Sequence, residues 1–95
     1  MRFGFMEDFR NPVKWRKPFP ALYEALLDQI ALGETLGYDN VWLTEHHFTE
    51  DGYNPSLLPT AAAIAARTKK IRIGSFILLL PYQHPVRAAE DVACI

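Results

Sequence analysis

Residues 41–48, with the sequence V-W-L-T-E-H-H-F, constrain the fold most, because an apolar run ends there in three consecutive ionisable residues. The first three residues are typical of a strand buried on both faces, as in a parallel sheet covered by helices. In α/β folds the carboxyl ends of such strands carry the binding or catalytic site. The pattern therefore predicts that Glu45, His46 and His47 lie at the mouth of a site.

His46 and His47 are expected to point to opposite faces, since neighbouring side chains of a strand alternate. The two histidines should therefore have separate roles. A metal site is not expected, because the sequence contains no H-E-x-x-H motif and no paired-cysteine spacing.

The composition is that of a soluble globular protein, with 49% apolar residues, 22% charged residues and a net charge of -1 over 95 residues. No cluster of Lys and Arg indicates nucleic acid, and no apolar run approaches the roughly 20 residues that span a bilayer. The amino terminus lacks a signal-peptide pattern, and the single cysteine, Cys94, excludes an internal disulfide framework. These features predict a cytoplasmic protein whose partner is a small molecule or a second copy of itself.

Apolar periodicity predicts strands that alternate with helices along the whole chain. Right-handed crossovers would make the strands parallel neighbours or near neighbours. Glu7 and Asp8 follow the first strand, where they either line a site or are solvated loop carboxylates. The predicted strands are residues 3–6, 41–43 and 71–80, and the predicted helices are residues 20–36, 56–68 and 85 onward.

The helix predicted at residues 56–68 carries no charge between residues 57 and 66. A helix that is apolar all round is normally buried all round, so something must cover its outer side. Either a second subunit packs on Ala62 and Ala65, or another helix of the same chain covers them. The sequence leaves both interpretations open.

Three strands cannot close a parallel barrel, which needs eight strands and typically about 250 residues. The chain also ends inside its third helix. We therefore expect residues 1–95 to be the amino-terminal part of a single α/β domain, a TIM (β/α)8 barrel, of which they contain the first three β/α units. On this interpretation the 95 residues alone would be inactive.

The motifs E-H-H-F-T-E at residues 45–50 and H-P-V-R-A-A-E-D at residues 84–91 together resemble the bacterial luciferase-like flavin monooxygenases, in particular their alkanal-oxidising subunits. The resemblance implies a TIM barrel that uses reduced FMN and O2 to oxidise a small organic substrate such as a long-chain aldehyde. It also implies a flavin reductase that supplies the reduced FMN, and a homodimer or heterodimer.

The resemblance implies roles for individual residues as well. His46 matches the catalytic histidine of the family, and Glu45 beside it is the second catalytic candidate. His47 matches a histidine at the subunit interface, near the position of Glu90. Ala62 and Ala65 would lie at the same interface.

In that family a non-proline cis peptide lies beneath the flavin ring, and the register of the motif places it between Phe76 and Ile77. These two residues are therefore the cofactor-binding candidates. Three functions remain open: an FMN-dependent monooxygenase, a deazaflavin-dependent oxidoreductase that transfers hydride, and a non-catalytic barrel segment that serves oligomerisation.

Overall fold

Three parallel strands, each followed by a helix, make up the structure, which is a computed structural model that describes all 95 residues. The strand order is β1-β2-β3, so each crossover joins neighbouring strands. The register aligns Met6, Trp42 and Gly74 across the sheet. The elements are β1 (Gly4–Glu7), α1 (Phe19–Thr35), β2 (Asn40–Leu43), α2 (Leu57–Arg67), β3 (Arg72–Ser75) and α3 (Pro85–Cys94), with short 3-10 turns at Val13–Trp15 and Leu80–Tyr82.

The hydrophobic core lies between one face of the sheet and the helices α1 and α2. Val41 and Leu43 of β2 are fully buried there, together with Ile30 of α1 and Ile64 of α2. Trp42 points to the opposite face and is 43% exposed. The prediction that β2 is buried on both faces is therefore wrong for this chain, because all of the core helices lie on the same side.

The helices agree closely with the apolar periodicity of the sequence, and α1 and α2 begin and end within a residue of their predicted bounds. Pro20 lies in the first turn of α1, where its missing N–H has no helical partner to lose. α1 packs against α2, which supports the same-chain explanation for part of the apolar surface of α2. Ala62 nevertheless remains exposed. No helix of this chain combines the length and the apolar character that a membrane crossing requires.

The third strand is shorter than the predicted range 71–80, because regular pairing ends at Ser75. The N–H of Phe76 still donates to the carbonyl of Leu43 at 2.7 Å, and the chain then leaves the sheet at a non-proline cis peptide between Phe76 and Ile77. The predicted position of the cis peptide is confirmed. The apolar run continues past the end of the strand into a loop where Phe76 and Ile77 are largely exposed within this chain, so apolar composition alone does not mark where the strand ends.

Glu34, in the last turn of α1, joins this helix to the start of β3. Its carboxylate accepts hydrogen bonds from the backbone N–H groups of Ile71 and Lys69, both at 2.8 Å, and from that of Lys70 at 2.5 Å. These three bonds, the one from Ile71 first, lower the pKa of Glu34 below its ordinary value. The carboxylate thereby satisfies the backbone donors of the tight turn between α2 and β3.

We expect Glu34→Gln to lower the melting temperature at neutral pH, because the neutral amide offers one weaker acceptor to three donors. A carboxyl group whose pKa is lowered by folding stabilises the protein above its unfolded pKa, and this contribution is lost as pH falls through the folded pKa. The difference between variant and parent should therefore shrink below about pH 4. Thermal unfolding of both proteins from about pH 7 to about pH 3 measures this difference in melting temperature. Glu24→Gln, at an exposed position of α1, is the control, and equal melting temperatures at neutral pH would contradict the prediction.

Candidate functional site

Buried polar residues connect the loops at the carboxyl edge of the sheet. The hydroxyl of Thr44, directly after β2, donates to Asp8 after β1 at 3.0 Å. The side-chain amide of Asn54 donates to the carbonyl of Thr44 at 2.8 Å, and its oxygen accepts from the Thr60 hydroxyl of α2 at 2.8 Å. Asp8 is thus tied to this network at the carboxyl edge, so it is more than a solvated loop carboxylate, and its role in lining a site stays a prediction.

Asn54 is the centre of this network, since it is fully buried and has a positive φ of 46°. Asparagine tolerates this left-handed conformation better than most residues. Asn54→Ala should destabilise the protein by about 2 kcal/mol, because it leaves the Thr44 carbonyl without its side-chain donor. The Thr60 hydroxyl loses one of its two acceptors and keeps the carbonyl of Ser56 at 3.0 Å. Urea unfolding measures the loss, with Gln29→Ala on the exposed side of α1 as control. A loss no larger than that of the control would show that the network is not needed.

Glu45 directly follows Thr44 in the sequence and is buried, with only 1% of its side chain exposed. One carboxylate oxygen accepts a hydrogen bond from Nε2 of His47 at 2.7 Å, and the other accepts from the backbone N–H of Leu79 at 3.0 Å. When Glu45 is ionised, its carboxylate can only accept, so Nε2 of His47 then carries the proton in this bond. The ring of His47 also meets the ring of Tyr82 edge-on, with centroids 5.0 Å apart.

His46 has different surroundings, because it is exposed and packs against an aromatic ring. The centroids of His46 and Tyr53 are 3.9 Å apart, with the ring planes at 62°. The guanidinium of Arg10 lies 4.9 Å from the centroid of Tyr53, and its Nε donates to Asp51 at 2.7 Å. The hydrogen bond from Arg10 lowers the pKa of Asp51 below its ordinary value. The loops after β1 and β2 thus form the immediate surroundings of His46.

The two predicted catalytic residues, His46 and Glu45, are neighbours in sequence but do not interact in the structure. Glu45 binds His47, and His46 contacts Tyr53. The expectation that adjacent residues alternate across a strand does not apply here, because β2 ends at Leu43 and the histidines lie in the following loop.

His47 and Glu90 form no ion pair within this chain, and their predicted placement at a subunit interface stays a prediction. Glu90 lies on the exposed side of α3, 3.5 Å from Arg87, whereas His47 is held by Glu45. Ala65 lies half-buried in a groove of 520 Å³ between α2, β3 and α3, while Ala62 faces outward. Ala62 is therefore the better placed of the two alanines for contact with another subunit.

Phe76 and Ile77, the predicted cofactor-binding residues, follow β3 at the same carboxyl edge. The two residues are 64% and 59% exposed, so they present apolar surface on the edge that carries the histidines. Glu7, at the end of β1, is half-buried, and burial raises the pKa of its carboxyl group above the ordinary value. No cluster of three or more His, Cys, Asp or Glu side chains is arranged to hold a metal ion.

Sequence reasoning missed several residues that build this edge. The segment D-G-Y-N-P was predicted only as a loop, although an Asn before Pro in a turn is a signal for a residue that bonds the backbone. No local signal marks Leu79, because its contribution is a backbone N–H that reaches Glu45 from a distant part of the chain.

Parallel β/α units with polar residues at the carboxyl ends of the strands define a class of α/β proteins whose sites lie at that edge. The family described as luciferase-like monooxygenase matches residues 1–95. The chain belongs to the luciferase-like monooxygenase family.

Among related proteins, the alkanal monooxygenase alpha chain of the Kryptophanaron alfredi symbiont is 37% identical over 93 residues, which are 97% of this chain and 25% of that protein. The alkanal monooxygenase alpha chain of Photorhabdus laumondii is 46% identical over 61 residues, or 64% of this chain and 17% of that protein. This chain thus spans between 17% and 25% of the length of these curated relatives.

Two solved structures are similar over nearly the whole chain. A monooxygenase from Streptomyces bottropensis has a TM-score of 0.86 at 32% identity, covering 99% of this chain and 29% of that one. The oxygenating constituent of 3,6-diketocamphane monooxygenase from Pseudomonas putida, a type II Baeyer-Villiger monooxygenase in complex with FMN, has a TM-score of 0.83 at 22% identity. It covers 97% of this chain and 25% of that one, and at this identity it shows the fold alone.

Proposed function

We propose that these residues form the first three β/α units of a (β/α)8 barrel enzyme, a flavin-dependent monooxygenase. It would use reduced FMN and O2 to oxidise a small organic substrate such as a long-chain aldehyde. The observation that carries the proposal is the placement of His46 and of the apolar side chains of Phe76 and Ile77 at one edge of the sheet. Membership in the luciferase-like monooxygenase family supports the reaction class.

The residues present fit a flavin. The flat, largely apolar ring of FMN needs apolar surface beside it, and Phe76 and Ile77 offer exposed apolar side chains at the carboxyl edge. When bound, reduced FMN supplies the electrons for the reaction with O2. The apolar side chains at this edge would limit access of water to the reacting atoms.

His46 is the proposed acid-base group. An imidazole has an ordinary pKa of about 6.5, so it can accept and release a proton near neutral pH. Its side chain is exposed at the edge, and its ring lies against Tyr53. It is thus oriented by an aromatic neighbour and is not engaged by the buried carboxylate of Glu45.

The proposal includes two partners. A flavin reductase would supply the reduced FMN, and a second subunit, identical or different, would pack on α2 around the exposed Ala62. The name of the alkanal monooxygenase alpha chains, which implies a second kind of chain in those proteins, supports the subunit partnership. The cytoplasmic location predicted from the sequence stays a prediction.

The test uses the natural full-length protein with photoreduced FMN, O2 and decanal. We expect oxygen consumption that depends on decanal, and one oxygen atom from labelled O2 in the carboxylic acid product. Oxidised FMN without a reductant is the control. Hydride transfer from a reduced deazaflavin without oxygen consumption would support the deazaflavin alternative, and no turnover with either cofactor would support a non-catalytic role.

A further inference from the structure

We propose that Glu45 is a positioning residue, which together with His47 holds the segment 76–79 after β3 in the conformation that binds flavin. We name this arrangement the Glu45 clamp, meaning Glu45, His47 and the backbone N–H of Leu79. The inference rests on the proposed function, because it assumes that Phe76 and Ile77 contact FMN.

The segment is fixed to the end of β2 at two points. At its start, the N–H of Phe76 donates to the carbonyl of Leu43 at 2.7 Å. At its end, the N–H of Leu79 donates to Glu45 at 3.0 Å. Ile77 lies between these two bonds, so its position depends on both of them.

The first of these bonds continues the ladder of the sheet, whereas the second depends on a single side chain. Glu45 is separated from Leu79 by 34 residues, and its carboxylate reaches the backbone of the loop directly. Its side chain is 1% exposed, so if the carboxylate is removed, water is a poor substitute for it as the acceptor of the Leu79 N–H. Loss of Glu45 would therefore release the end of the segment while its start remains bonded.

His47 completes the clamp from the opposite side of the carboxylate. Its Nε2–H bond to Glu45, at 2.7 Å, occupies the second oxygen and offsets the burial of the negative charge. The ring of His47 also packs edge-on against Tyr82, which lies three residues beyond Leu79. The pair therefore contacts the loop after β3 at two separate positions.

The same geometry argues against a direct catalytic role for Glu45. A general acid or base must come within hydrogen-bond distance of the proton that it transfers. Both oxygens of Glu45 already have protein partners, and the side chain is buried behind the loop. Glu45 should therefore affect the reaction indirectly, by holding the loop. Its loss should weaken flavin binding and leave the rate of the chemical step nearly unchanged.

The expected change in flavin affinity follows from the fraction of molecules in which the loop has the conformation that binds flavin. If Glu45→Ala reduces the competent fraction to about one tenth, the apparent Kd for flavin rises about tenfold, while kcat at saturating flavin stays within about threefold of the parent. Glu45→Gln keeps an acceptor for Leu79 and should recover most of the affinity. Glu50→Ala is the matched control, because Glu50 lies in the same loop with 79% of its side chain exposed.

The experiment uses the full-length protein and two readouts. Amide hydrogen exchange at Leu79, measured without flavin, should be at least about tenfold faster in Glu45→Ala than in the parent, and close to the parent in Glu50→Ala. FMN binding, followed by fluorescence quenching, should weaken in Glu45→Ala and recover in Glu45→Gln. If Glu45→Ala does not fold, His47→Phe replaces it in the comparison. This variant keeps the aromatic contact with Tyr82 and removes the hydrogen bond to Glu45, so we expect faster exchange at Leu79 than in the parent.

Unchanged exchange at Leu79 would overturn the proposal, and so would a fall in kcat at unchanged flavin affinity, which would make Glu45 a catalytic residue. The two readouts also separate this proposal from the proposed function. A parent protein that binds no FMN removes the proposed function, whereas the exchange rates still decide whether Glu45 holds the loop.

Discussion

Replacement of His46 with alanine in the full-length protein should lower turnover by about 10² to 10⁴ fold and change flavin affinity by only a few fold. General acid-base groups contribute this much because they move a proton in the transition state. His46 is exposed at the carboxyl edge, beside Tyr53 and apart from the buried Glu45. It is therefore free to exchange a proton, whereas His47 is held in a hydrogen bond.

Steady-state turnover and flavin binding of His46→Ala, each compared with the parent, measure the two parts of this prediction. His84→Ala is the matched control, because His84 is an exposed histidine at the start of α3 that lies outside the proposed site. Turnover of His46→Ala within about threefold of the parent would exclude the role.

Ala62→Glu should convert the proposed dimer into monomers. A carboxylate at this position would be buried without a partner when the second subunit packs on α2, which costs about 3 to 5 kcal/mol of association and weakens the dimer at least about 100-fold. Ala62 is exposed within the chain, so the same substitution has little effect on the fold of one subunit. Ala65→Glu is a less specific test, because Ala65 lines the groove between α2, β3 and α3.

Sedimentation velocity of the full-length protein at micromolar concentration measures the association state. Ala25→Glu, at an exposed alanine of α1, adds the same charge on a different helix and should leave the dimer intact. An Ala62→Glu protein that sediments like the parent would place the interface on another surface. Dissociation by both variants would indicate a general effect of charge.

Local patterns in the sequence determined the alternation of strands and helices. The spacing of apolar residues in α1 and the uncharged run in α2 specify helices, because one face of each must be buried against the sheet. The family motifs also located the cis peptide at Phe76 and Ile77. These features depend on residues that are close in sequence, so they can be recognised without the tertiary structure.

The partners of the polar residues were decided only by the tertiary structure. Glu45 and His46 were both predicted as catalytic candidates, but the end of β2 at Leu43 places them in a loop where Glu45 turns toward His47. The bond from Leu79 to Glu45 depends on how far β3 extends before the chain leaves the sheet. An apolar sequence does not encode that point, because the same residues can pair in a strand or pack in a loop, and the choice depends on contacts between distant segments.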